Sequence, residues 1–355
     1  MRVIFDAALI TERGTSVATF DYAKGCASVL GVEPIILYNK NAEHQPAALK
    51  HFGAHFDLIG YDHLTDIDRI AKELKVDVYY KLKYEYRDHY RPAGIFSAVH
   101  CAFDFDEPHG EVYGYVSGWL SDYVSHGKRP FVPHIVELPE PQADQRRAWG
   151  IPDDALIVGR YGGATTFDLE FAHEAVRRVV AERKDIWFVF VNTQKFCDHE
   201  RILFKPAIYS AQDKADYIAS CDIMLHARSL GETFGLAIAE FIYGNKPFLC
   251  WIGGHDRHHL WLQTNPAFVY RTGKDLLDKL STLRKEDCVL PGGASRSFTT
   301  TPVVKAFKEV FLSGPNPQST AETGFVMRSQ RKLNNLLRRQ LDGMAINWNK
   351  IAGIK

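Results

Sequence analysis

The chain has 355 residues, 46% of them hydrophobic and 24% charged, a length that suits two domains better than one core. Its 43 Lys and Arg balance its 43 Asp and Glu, which excludes a surface built throughout to coat nucleic acid or an anionic membrane. No stretch reaches the roughly 18–20 apolar residues of a membrane span. The opening "MRVIFDAALITERG" does not read as a signal peptide, because Asp6 interrupts its apolar run.

In the first half, short β-rich runs alternate with helical periodicity. Strands are expected at 2–5, 34–38, 56–60, 77–83 and 94–103, and helices at 16–30, 44–52 and 65–74. Pro133, Pro139 and Pro141 and the polar cluster at 140–147 read as a linker. The alternation then restarts, with a strand at 155–159, a helix at 168–183 and a strand at 186–192. "KADYIASCDIMLHA" follows as a helix running into a strand. "LAIAEFIYG" is a helix, "KPFLCWIGG" a strand and "TPVVKAFKEVFL" a helix. A polar loop at 313–325 and a basic helix at roughly 326–341 end the reading. The expected domains are 1–140 and 150–312, both α/β with doubly wound, Rossmann-like parallel sheets facing a central cleft. Residues 313–355 are expected to pack back on the first domain. Ligands of such sheets bind beyond the carboxyl ends of the strands. The six cysteines, Cys26, Cys101, Cys197, Cys221, Cys250 and Cys288, form neither a C-x-x-C pair nor a zinc spacing. They read as reduced core thiols in a cytoplasmic setting.

The chemistry concentrates in "GETFGLAIAE" at 231–240. A strand ends near His226, a polar loop follows, and a helix begins around Phe234 and Gly235, with Thr233 as the expected N-cap. The amides of Phe234, Gly235 and Leu236 would lack helical partners there, and Gly235 lets a ligand approach the backbone. Free amides and the helix dipole together make a seat for a diphosphate. Glu240 lies inside the apolar helix, and its neighbours three and four positions away, Leu236, Ala237, Tyr243 and Gly244, carry no positive charge. A buried carboxylate needs a partner. Either two vicinal ribose hydroxyls supply it, or a distant Lys or Arg does.

"GETFGLAIAE" resembles the E-x7-E motif of GT-B glycosyltransferases, most closely the retaining, family-4-like group. "ALIVGRYGG", "YSAQDKADYIASCDIMLHA" and "GNKPFLCW" resemble the flanking segments of that family's donor domain. "ERGTSVATFDYAKGCASVLGVEPIILY" and "AVHCAF" resemble its acceptor-side domain more loosely. The resemblance implies transfer of a hexosyl-type sugar from a nucleotide diphosphate-sugar to an acceptor hydroxyl, with retention and without a metal or other cofactor. The acceptor would be a glycan, a lipid-linked molecule or a small molecule. It makes Arg160 a diphosphate ligand, with Gly14 and Thr15 close to the phosphates. Glu232 would face the donor sugar, His100 would hydrogen-bond it from the other domain, and Glu240 would hold the ribose. Where the family carries a second cation, "RYGGATTFD" has Thr165, and Lys195 in "VNTQKF" is the candidate replacement. A sugar-nucleotide epimerase or inverting transferase on the same fold, and a non-catalytic sugar-nucleotide-binding module, are the competing readings.

Three further features have weaker readings. His255, His258 and His259 around Asp256 invite a metal but lack a third ligand at a recognised spacing, so an exposed first turn is expected. "KYEYRDHYRP" at 83–92 reads as an acceptor-side loop or solvated helix rather than a nucleic-acid platform. The basic C-terminal helix is expected to pack on the first domain, peripheral membrane contact being its alternative.

Overall fold

A computed structural model describes residues 1–11, 14–84, 89–208, 210–314 and 344. By contacts the chain divides between Ile135 and Val136. Met1–Ile135 and the described part of Ser297–Gln330 form one unit, and Val136–Arg296 forms the body of the other.

The first unit runs β1 (Arg2–Ala8), α1 (Gly14–Leu30), β2 (Glu33–Asn39), α2 (Pro46–Gly53), β3 (Leu58–Tyr61), α3 (Asp66–Glu73), β4 (Val78–Lys83), β5 (Phe96–Cys101), β6 (Val112–Tyr115) and α4 (Gly118–Ser125). Its sheet has the order β3-β2-β1-β4-β5-β6, with every pair parallel. Such strands must be apolar on both faces. One face packs Ile4, Leu37 and Tyr79 with Ile67 and Ile70 of α3. On the other, Phe5, Tyr22 and Tyr80 meet Phe307, whose ring lies 4.8 Å from that of Tyr80.

The second unit runs β7 (Leu156–Tyr161), α5 (Glu170–Glu182), β8 (Ile186–Val191), β9 (Ile202–Lys205), α6 (Ala211–Ser220), β10 (Ile223–His226), β11 (Gly231–Glu232), α7 (Leu236–Tyr243), β12 (Phe248–Trp251), β13 (Asp256–Arg257), α8 (His258–Leu262), β14 (Val269–Tyr270) and α9 (Gly273–Thr282). Its sheet order is β14-β12-β10-β7-β8-β9, again all parallel. Read from β7 outward, this repeats the first unit's order. In both, the strand order reverses beside the first strand, between β1 and β4 and between β7 and β10. That reversal point is where doubly wound sheets take ligands.

Among the described residues the expected elements are present with shifts at their ends, and eight more appear: β6, α4, β9, β11, β13, α8, β14 and α9. β6 and β9 have four residues each, too short to show a periodicity. The helix expected in the C-terminal domain, α10 (Thr300–Phe307), packs instead on α1 of the first unit. A Cβ added to Gly25 would lie 2.8 Å from Val304 and 3.2 Å from Thr300. Nor does the expected linker hang free of the second unit. The amide of Gln142 donates to Asp216 Oδ1 (2.7 Å) and that of Gln145 to Ser220 Oγ (2.8 Å), both on α6. Buried Arg146 then donates to Asp222 Oδ1 at 2.8 Å.

All six cysteines are free thiols, four of them buried. Burial pushes Cys26, Cys221 and Cys250 up to about 12, which makes them inert packing groups. Among the described residues no helix is long and apolar enough to cross a membrane. The basic C-terminal helix, with its proposed membrane contact, lies outside the described residues, as do residues 85–88 of the tyrosine-rich loop.

Candidate donor site at the strand reversal of the second unit

Arg160 is the fifth residue of β7, beside the reversal point, and is 4% exposed. Its backbone amide donates to Tyr217 Oη (2.6 Å), which itself donates to Val189 O (2.7 Å). Gly159 permits this approach of α6, since a Cβ there would lie 2.4 Å from Cys221 Sγ and 2.9 Å from Tyr217 Oη. The guanidinium donates to four neutral oxygens: Asn192 O (3.2 Å), Thr193 Oγ1 (2.5 Å), Gly163 O (2.9 Å) and Thr166 Oγ1 (2.6 Å). Burial pulls its pKa down to about 10, with Tyr217 and Glu232 opposing, so it remains charged at neutral pH. A buried cation fixed by neutral groups keeps an unneutralised field, the condition for attracting an anion.

Glu232 lies after the neighbouring strand, in β11, which pairs with β13. The turn into it needs Gly231, whose φ is +80°. Glu232 Oε1 accepts from His226 Nε2 (3.2 Å) and Oε2 from Arg228 Nη1 (3.0 Å). Burial alone would raise its pKa. The His226 hydrogen bond and the Arg228 charge outweigh burial and hold it down at about 2. The carboxylate is therefore ionised at neutral pH and is no proton donor there. Asp168 fastens the loop between them, accepting from Ser229 N (2.7 Å) and Ser229 Oγ (2.5 Å).

Helix α7 starts two residues later than its expected cap implied. Gly235, at φ +84°, is the N-cap rather than Thr233. The amides left without helical acceptors are consequently those of Gly235, Leu236, Ala237 and Ile238. Phe234 belongs to the brace beneath: its carbonyl accepts from His258 Nδ1 at 2.7 Å, and the two rings stack at 5.5 Å. His259 Nε2 likewise donates to Trp251 O at 2.9 Å. His258 and His259 are 6% and 1% exposed, so this segment is not the exposed turn expected from its sequence. Among the described residues no group of three or more His, Cys, Asp or Glu is placed to hold a metal.

Glu240 does have a distant protein partner. Lys214 of α6 reaches Glu240 Oε1, pairing two side chains that are 18% and 9% exposed. The lysine is 26 positions away in sequence, beyond any helical spacing rule.

No family model matches the chain, and no curated protein does. Solved structures do match over nearly the whole length. Anabaena HepE, in complex with UDP-glucose, shares 12% identity over 93% of this chain and 100% of that chain, with a TM-score of 0.62. A glycosyltransferase from Rickettsia africae shares 12% over 94% and 98%, at 0.58. A putative UDP-N-acetylglucosamine 2-epimerase from Listeria monocytogenes shares 12% over 89% and 98%, at 0.54. The chain has the GT-B fold.

Within this GT-B chain, Arg160, Glu232, Gly235, Leu236 and Glu240, the residues expected at a donor site, all belong to the second unit. Gly14, which is exposed, and Thr15 open α1 in the first unit. Lys195 is 56% exposed and pairs with Asp198, on the rim of a shallow cavity of about 300 Å³ near β9. The neighbouring cation that acts on Arg160 is Arg228 instead.

His100, expected beside a donor sugar, is enclosed in the first unit's core at 0% exposure. Its ring lies 4.8 Å from that of Phe311, and Nδ1 is 2.8 Å from Tyr80 Oη. The reason is strand alternation: its position in β5 points it under α1 and the helical turn Lys308–Leu312 that follows α10. Burial pushes its pKa down to about 3, against the backbone of Tyr115 and Val132. The unfolded chain takes up the proton below about pH 6.5 and the folded one does not. Stability is therefore fully present above that pH and is lost as pH falls from about 6.5 toward 3, at up to about 1.4 kcal/mol per pH unit. Urea melts of His100→Gln across pH 7 to 4.5 should show a slope shallower than the wild type's by close to one proton.

The parts played by Lys214, Arg228, His226 and Asp168 escaped sequence reading, and His258 was read as part of an exposed turn. Arg228 alone had a local signal, standing four residues before Glu232.

Proposed function

We propose that this chain transfers a glycosyl group from a nucleotide diphosphate-sugar to an acceptor hydroxyl, with UDP-linked sugars the first donors to test. The observation that carries the reading is Arg160: a buried guanidinium without a carboxylate partner, beside the strand reversal. Charge accumulating on a leaving diphosphate would be stabilised there by Arg160 and by the amides that open α7, an effect often worth about 3–4 kcal/mol per donor. The structures of HepE hold UDP-glucose in one case and UDP with glucose in another, which supports a uridine diphosphate as the donor's carrier.

Glu232, ionised and clamped, would accept hydrogen bonds from hydroxyls of the donor sugar and favour positive charge at its anomeric carbon. Glu240 would receive the ribose hydroxyls, beside the ion pair it forms with Lys214. We further infer retention of anomeric configuration, with the leaving phosphate oxygen accepting the acceptor's proton, and no requirement for a resident metal. His100 has no part in this scheme, since it is enclosed. A cytoplasmic setting belongs to the same proposal.

The likeness to a putative 2-epimerase favours one competing reading, in which donor is consumed without an acceptor. A thermal-shift screen with UDP-, GDP-, ADP- and TDP-sugars, followed by anomeric-proton NMR of the product, tests all of this. Transfer predicts stabilisation by one donor class and a new anomeric signal only when acceptor is added. Turnover of donor alone to an epimer would replace this reading with the epimerase. A silent screen would contradict both.

A further inference from the structure

We propose that Arg228 is the second diphosphate ligand of this site, held by Glu232 until the nucleotide arrives. The assignment rests on the donor reading above and extends it to a residue that no expected motif contains.

A nucleoside diphosphate ester carries about two negative charges at neutral pH, and one cation leaves the second charge unmatched in a partly buried site. The position where the family resemblance places another cation is Thr165, in the loop that wraps Arg160. Arg228 is the cation whose charge acts on Arg160.

The two arginines differ in their remaining hydrogen-bonding capacity. A guanidinium has five N–H donors. Arg160 has four contacts to fixed neutral oxygens and so acts as a static charge. Among the described residues Arg228 makes a single side-chain hydrogen bond, from Nη1 to Glu232 Oε2, and its side chain is 24% exposed. Most of its donor fork is thus open to an anion of matching geometry.

Its support is also independent of that one bond. Asp168 grips the following residue through both the amide and hydroxyl of Ser229, and the Asp168 amide donates to Ala227 O at 3.2 Å. The backbone on both sides of Arg228 stays in place if the side chain turns. Glu232, for its part, keeps the His226 hydrogen bond when Arg228 leaves. The Arg228–Glu232 pair can therefore open without stranding either charge. Diphosphate binding would take up Arg228 and expose Glu232 Oε2 to the sugar in one movement.

The test is isothermal titration of the full chain with UDP and with uridine, which lacks the diphosphate. Arg228→Gln should weaken UDP binding by about 10- to 100-fold, the range of a lost charge-assisted contact, and leave uridine within about twofold. Glu232→Gln should bind UDP as tightly as the wild type or more tightly, because it releases Arg228. Adding T165K to Arg228→Gln should restore at least part of the UDP affinity. Should the Gln variant fail to fold, Arg228→Lys reads the same UDP-against-uridine contrast through loss of the planar fork. Unchanged UDP affinity in Arg228→Gln would overturn the proposal. Equal losses in Arg228→Gln and Glu232→Gln would overturn it too, by showing that Arg228 acts only through Glu232. A wild type that prefers UDP no more than uridine would remove the donor reading itself, and this proposal with it.

Discussion

Arg160→Met should lower donor turnover, read as kcat/KM, by about 10²- to 10³-fold. The substitution removes a buried cation whose hydrogen bonds all go to neutral oxygens, so developing negative charge on a leaving group loses its fixed counter-field. The variant also leaves Asn192 O without the donor that satisfies it, whereas Gly163 O keeps the Thr166 amide and hydroxyl. The loss at Asn192 costs about 1–3 kcal/mol if water does not enter, so some fall in Tm accompanies the kinetic effect. The two effects separate in a second variant. Thr166→Val removes a neutral acceptor of Arg160 while keeping its charge, and it should disturb stability more than turnover. Equal turnover in Arg160→Met and wild type would exclude Arg160 from the chemistry.

Gly231→Ala is expected to be the most destabilising single methyl in the second unit. The residue sits at φ +80°, and an added Cβ would lie 1.9 Å from Asp256 O, a backbone atom that cannot rotate away. The clash falls on the β11–β13 pairing, in which Gly231 faces Asp256 and Glu232 faces Arg257. A cost of about 3–5 kcal/mol follows from strain and the lost pairing together. Urea unfolding should show a lowered midpoint. Because Glu232 is carried by the same two-residue strand, any variant that folds should also lose sugar-dependent turnover. Gly292, also at positive φ but with nothing within 4 Å of an added Cβ, is the control. Gly292→Ala should cost only backbone strain, about 1–2 kcal/mol.

How much of this was legible depended on whether the signal was local. The helix carrying Glu240 and the strand ending in Arg160 showed themselves through apolar runs, flanking glycines and the strand-loop-helix order. The two doubly wound domains followed from that alternation, and the GT-B expectation from the resemblance carried by "GETFGLAIAE" and its flanking segments. Lys214 did not show itself, because α6 and α7 meet only in the folded sheet. His258 and His259 looked like a surface turn or a metal motif. Their nitrogens instead hold carbonyls of Phe234 and Trp251, and no spacing rule encodes a side-chain bond to a distant backbone oxygen. His100 was misplaced for a related reason. Strand alternation fixes which face a residue points to, but a sequence does not say which segment covers that face, and the helical turn Lys308–Leu312 that bears Phe311 arrives from far along the chain. Helix α7 began later than expected because a left-handed glycine, not a threonine, closes its first turn.

Glu240 offers the most direct test of the proposed donor site. Isothermal titration of UDP into the wild type and Glu240→Ala is the decisive comparison, with Lys214→Ala as a companion. Glu240 lies beside a lysine that is 18% exposed and can be solvated when its partner is removed, so the variant should fold. The wild type should bind UDP saturably and Glu240→Ala should lose at least about tenfold in affinity, the scale of ribose hydrogen bonds to a charged acceptor. Lys214→Ala should fall between the two. Wild-type affinity in Glu240→Ala would contradict the ribose assignment, and a wild type that binds none of UDP, GDP, ADP or TDP would contradict the donor site as a whole.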